Sequence, residues 1–115
     1  MAGERNPCQI VFDVQKLGDD YVFVITGGKA HIGASATAYY YEDQLQVEGV
    51  ALPRHKEWEL ARELALQAAE QLGVTVTVVM GIHVDQASRE MIDSIIVFVR
   101  QEMNRQLVKV GNASS

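Results

Sequence analysis

A chain of 115 residues with 48% apolar and 22% charged side chains has the size and composition of one globular domain, which excludes disorder over most of its length. Its net charge of -5 argues against a broad face for phosphate backbones, so nucleic acid is not an expected partner, while a local basic pocket stays compatible with that total. One cysteine, Cys8, excludes an internal disulfide; no run reaches the roughly 18 apolar residues of a membrane span and Met1 to Pro7 does not read as a signal peptide, so a cytoplasmic protein is expected.

Gln9 to Gln15 alternates, with Ile10, Phe12 and Val14 on one face, as a half-buried strand does. Leu17-Gly18-Asp19-Asp20 supplies a turn and Tyr21 to Thr26 a second strand, so the two read as a hairpin. Gly27-Gly28-Lys29 interrupts the pattern. Ile32 to Tyr41 and Gln44 to Val50 form a further strand pair around Glu42-Asp43, with Leu45 and Val47 inward. Pro53 marks the approach to a helix. From His55 to Leu72 the residues Trp58, Ala61, Ala65, Ala68 and Leu72 fall at helical spacing, and Gly73 is suited to end the helix. Val74 to Met80 is a valine-threonine strand. Ser88 to about Leu107 is a second amphipathic helix, carrying Ile92, Ile96, Val99, Met103 and Leu107. The expected order is therefore β-β-β-β-α-β-α, an α+β fold of one mostly antiparallel sheet with two helices on one face. The domain spans residues 1–115, with an ordered core of about 9–108 and a frayed tail at 111–115. Val97 and Phe98 widen the apolar girdle of the second helix, a hint of self-association into a dimer, with the plainer alternative that Phe98 only fills the core edge.

The chemistry-bearing residues fall in three short segments at element ends, and each holds one of the three histidines. The first is Gly27-Gly28-Lys29-Ala30-His31. Its glycines allow close backbone approach and Lys29 adds a positive donor, although a simple glycine turn with a solvated lysine is the plainer reading of the glycines alone. The second is Arg54-His55-Lys56-Glu57, where cations precede a helix N-terminus and make an anion site, against the plainer reading of a charged helix start with Glu57 compensating the dipole. The third is Gly81-Ile82-His83-Val84-Asp85. His83 and Asp85, two apart, share a face of an extended strand and can pair or ligate, although Asp85 or Ser88 also suits a helix cap. His31, His55, His83 and Asp85, with Glu57 as a further carboxylate, are the candidates for a divalent metal, but the spacing of a zinc motif is absent. Cys8 and Ser35 lack a paired base. Tyr39-Tyr40-Tyr41 could offer a wall for a flat ring, or simply line a sheet surface.

Three phrases in this order, GGKAHIGA (Gly27 to Ala34), HKE (His55 to Glu57) and GIHVD (Gly81 to Asp85), resemble the LpdD-like family over roughly Val11 to Phe98. That family takes its name from the small D subunit associated with gallate decarboxylase and is described as prenylated-flavin chaperones. The family commonly has a glycine before the histidine of HKE, where this chain has Arg54. The resemblance implies a fold like that of proteasome assembly chaperones. It also implies a non-catalytic carrier or maturation protein for prenylated FMN, or FMN, serving a UbiD-type decarboxylase. In that reading Lys29, Arg54 and Lys56 meet the flavin phosphate and Gly27 and Gly28 permit its approach. His31, His55, His83 and Asp85 line the polar end or hold a metal. Two other functions stay open: a hydrolase-like metal enzyme using the three histidines, and a pure protein-assembly factor.

Overall fold

The computed structural model describes residues 6–53 and 57–114, with side chains to residue 112. The five runs of alternating side chains become β1 (Val11–Leu17), β2 (Asp20–Gly28), β3 (Ala34–Tyr41), β4 (Gln44–Ala51) and β5 (Val76–His83), and the helical periodicities become α1 (Trp58–Leu72) and α2 (Arg89–Ser114). The turns carry the conformations tight hairpins need. Gly18 joins β1 to β2 at φ +62°, and Glu42 and Asp43 join β3 to β4 at φ 51° and 66°. Gly27 and Gly28 do not interrupt the second strand as expected; they close β2.

The sheet order is β1-β2-β5-β3-β4. The hairpins β1-β2 and β3-β4 are antiparallel, but they are not neighbours in a serial meander. β5 inserts between them, parallel to β2 and antiparallel to β3. A strand reading VTVVMGIH gains most from that central place, because its Val76, Val78 and Met80 are buried beneath the helices while Thr77 and Val79 are half-buried on the other face.

One face of the sheet holds the core: Tyr21, Phe23 and Ile25 of β2, the alanines 34, 36 and 38 of β3, and the inward residues of β5. The small β3 side chains admit α1, which lies over β3, β4 and β5 and buries Ala61, Leu64, Ala65, Ala68 and Ala69. α2 packs beside α1 and adds Val99, Met103 and Leu107 to the same core. Arg100 donates twice to the Glu63 carboxylate, both at 2.8 Å, and Gln67 donates to Asn104 at 2.7 Å. Both contacts span 37 residues, so the helices run parallel and in register, with their N-termini at the same end of the molecule. This register corrects the expected stripe on α2. α1 begins at Trp58, which the register sets opposite Ile95, so Ile92 precedes the packed region and is 43% exposed. Phe98 packs against the core, whereas Val97 is 52% exposed. α2 itself continues to Ser114, past the end expected near Leu107.

The opposite face of the sheet has no described element over it. Val22, Val24 and Thr26 of β2, Thr77 and Val79 of β5, and Ser35 and Thr37 of β3 are half-buried there, with Thr37 and Thr77 joined hydroxyl to hydroxyl at 2.8 Å.

Candidate functional site

The inserted strand creates the site. Because β2 and β5 are parallel, their carboxyl ends finish side by side, with Gly28 opposite His83. β3 lies on the far side of β5, so residues 29–33 must cross over the end of β5 to reach it. Two backbone bonds pin this strap to β5: Lys29 N–H donates to the His83 carbonyl at 2.9 Å, and Gly33 N–H donates to the Met80 carbonyl at 2.8 Å. The crossing leaves no room for side chains beneath it. A Cβ on Gly81 would overlap the His31 carbonyl oxygen, and a Cβ on Gly28, at φ +59°, would overlap the His83 carbonyl oxygen. Gly27, by contrast, is packed against Cys8 and Ile10, and Gly28 N–H donates to the Cys8 carbonyl at 2.8 Å. Burial pushes the Cys8 thiol above its ordinary range, so it is a packed thiol with little thiolate character.

The strap brings His31 and His83 together. Their ring centroids are 5.9 Å apart and the planes meet at 89°. Each imidazole is backed by a carboxylate. His83 Nε2 is 2.9 Å from Asp85 Oδ1, as two residues sharing one face of an extended segment allow, and Lys29 Nζ is 3.3 Å from Asp85 Oδ2. The hydrogen bond from His83, and then the bond and charge of Lys29, hold the Asp85 carboxyl below the usual carboxylate range. Helix capping does not claim Asp85, because Ser88 Oγ accepts the Met91 N–H at 3.0 Å and caps α2.

His31 sits between two acceptors. Its Nδ1 is 3.2 Å from the Lys29 carbonyl oxygen and its Nε2 is 3.5 Å from Glu57 Oε1. Glu57, at the N-cap of α1, also accepts the Ile82 N–H on Oε2 at 2.6 Å. A Cβ on Gly33 would overlap this carboxylate. From sequence, Glu57 is expected only to compensate the helix dipole or to serve as a metal candidate. Its position as the junction of α1, the strap and β5 went unrecognised; the one signal for it was its place inside the HKE phrase.

Lys29, Ala30, His31 and His83 line an open hollow of about 320 Å³ at this end of the sheet. Both helix N-termini lie at the same end of the molecule. Arg54, His55 and Lys56 lie outside the described residues. The residues that flank them reach the strap: Leu52 N–H donates to the Gly33 carbonyl at 3.0 Å, and Glu57 faces His31. The tyrosines do not join the site. β3 enters at the site with Ala34 and reaches Tyr39 about 17 Å further on at strand rise, where the Tyr39 hydroxyl donates to Glu48. Among the described residues no group of three histidine, cysteine or acidic side chains is placed to hold a metal, and no helix is long and apolar enough to cross a membrane.

A family model described as the prenylated flavin chaperone LpdD-like domain matches residues 4–110, so the chain belongs to that family. None of the curated proteins matches it. Among solved structures it is similar to a chain in the crystal structure of a chaperone complex for yeast 20S proteasome assembly. The TM-score is 0.59 at 11% identity, over 88% of this chain and 95% of that one, a likeness of fold alone.

Proposed function

We propose that this member of the LpdD-like family is a non-catalytic carrier or maturation protein that holds prenylated FMN and passes it to a UbiD-type decarboxylase in the cytoplasm. The observation that carries the reading is the hollow at the end of β2 and β5, where two imidazoles meet edge to face beside Lys29 over a glycine-cleared backbone. A flavin nucleotide needs a cation and backbone N–H groups for its phosphate and a close, uncluttered surface for its ring. Lys29 answers the first need, and the open hollow beside the His31 and His83 rings answers the second. Arg54 and Lys56, from the segment between Leu52 and Glu57, would add phosphate contacts, with His55 beside them. The flavin supplies all of its own chemistry; this chain's residues bind it, orient it and release it.

A metal enzyme is the weaker reading. Both ring nitrogens of His31 face protein acceptors and His83 Nε2 is paired with Asp85, which leaves few lone pairs for a cation in this arrangement. The open face of the sheet supports a homodimer. Its centre of valines and threonines, free of charge, has the apolar core and polar rim that an interface needs. The test is co-production with a flavin prenyltransferase. Flavin absorbance should travel with the wild-type chain on gel filtration and be lost from the variant carrying both Lys29→Ala and His83→Ala. A wild-type chain that elutes free of flavin refutes the carrier reading. Retention of decarboxylase binding by a flavin-free variant would favour a pure assembly factor.

A further inference from the structure

We infer that Asp85 is a resident counter-ion of the hollow: its carboxylate holds Lys29, and an incoming phosphate has to take the lysine from it; that this phosphate is a flavin's rests on the reading above. Two of the residues that line the hollow, Lys29 and His83, carry side-chain donors, and one carboxylate holds both. His83 Nε2 lies 2.9 Å from Asp85 Oδ1 and is the donor, since an ionised carboxylate only accepts. Lys29 Nζ lies 3.3 Å from Oδ2. Two donors on two oxygens of one anion is also how a phosphate would be held at this place.

The roots of these side chains are fixed, while their tips are exposed. Lys29 N–H donates to the His83 carbonyl at 2.9 Å, which sets the two residues side by side where β2 and β5 end. Asp85 follows β5 by two residues, where the chain turns toward α2 with Gln86 at φ 53°. The Lys29 and Asp85 side chains are 77% and 67% exposed. An ion pair so open to water is weak. It orders a flexible lysine yet yields it to a phosphate monoester, whose charge is about -2. Held below the usual carboxylate range, Asp85 stays ionised wherever that phosphate is dianionic. Its return to Lys29 favours release, which a carrier needs.

Asp85→Asn separates this role from one of positioning. The amide oxygen still accepts from His83 Nε2, so the imidazole keeps its partner and only the ion pair to Lys29 is lost. Were Asp85 there to orient Lys29 for a ligand, the variant would bind anions more weakly. With the competitor gone it binds them more tightly, by about two- to fivefold, the worth of one exposed ion pair. In a Lys29→Ala background the same change gives no gain, because there is no lysine to free. A general loss of negative charge would act in both backgrounds. Both side chains are exposed, so neither substitution reaches the core.

Inorganic phosphate and FMN are the two probes, titrated at about pH 8, above the ordinary histidine range, with the amide shifts of the strap and of His83 as the readout. The expected result is tighter phosphate binding by Asp85→Asn, and no such gain without Lys29. Unchanged or weaker binding by Asp85→Asn overturns the inference, as does a gain that persists in the Lys29→Ala background, or a protein that binds phosphate in neither form. FMN separates this inference from the flavin reading. A phosphate gain in a protein that never binds FMN leaves the counter-ion standing and removes the flavin, whereas FMN bound more weakly by Asp85→Asn than by the wild type does the reverse.

Discussion

Gly81→Ala tests the strap where the structure is least forgiving. The new methyl group would overlap the His31 carbonyl oxygen, a backbone atom that cannot rotate away. Relief requires the strap to lift or β5 to shift. Overpacking of this kind costs about 1–3 kcal/mol. Lifting the strap also breaks the bonds from Lys29 N–H to His83 and from Gly33 N–H to Met80, about 1 kcal/mol each in net terms. The sum is about 3–5 kcal/mol. At an unfolding entropy of about 2.1 cal/mol/K per residue, a chain of 115 residues has about 0.24 kcal/mol/K, so Tm should fall by about 12–21 °C. Calorimetry measures the fall, and amide exchange locates it: Lys29 and Gly33 should lose protection while Phe23 and Val78, deep in β2 and β5, keep theirs. A variant that melts within 2 °C of wild type, with both strap amides still protected, would refute the crossing geometry and the site built on it.

Two further outcomes follow from the same coordinates. Asp85 should titrate below the ordinary carboxylate value of about 3.9, with His83→Ala and Lys29→Ala each raising its midpoint, because the hydrogen bond from His83 and then the bond and charge of Lys29 hold it down. Its folded value is the depressed one, so the stabilisation is present above the unfolded value and is lost as pH falls through the folded one; carbon-13 carboxyl shifts measure it, and an upward displacement of Asp85 in the wild type would contradict the pairing. On the open face, the wild-type chain should run in light scattering at twice its 12.7 kDa mass, and Val24→Lys, a charge placed at the centre of that face, should return it to the single-chain mass; a monomeric wild type at tens of micromolar would exclude the dimer.

Much of the local structure was legible because it rests on local physics. Period-two alternation and the turn residues at Gly18 and at Glu42-Asp43 place both hairpins within two residues of where they lie. Helical spacing locates α1 and α2, and the αL glycine at residue 73 stops α1, its N–H donating to the Ala69 carbonyl. The pairing of His83 with Asp85 was readable from a two-residue spacing on one strand end. Other features left weaker traces. Ile92 fits the apolar stripe of α2, yet its exposure depends on where a different helix begins. The tyrosines of β3 looked like a ring wall, but they stand at the wrong end of the strand.

The chain's own pattern determined its elements, its α+β class and the short phrases in which its functional chemistry is written, because each depends on neighbours a few residues away. Tertiary structure alone decided that β5 enters between two hairpins. The pairing of Tyr21 with Val76 spans more than fifty positions, and the same alternation would suit a serial meander equally well. That one insertion forces the strap across β5, demands glycine at 81, and sets His31 against both His83 and Glu57. The site is thus a consequence of strand order, which burial of the most apolar strand selects over the whole molecule and no short segment records.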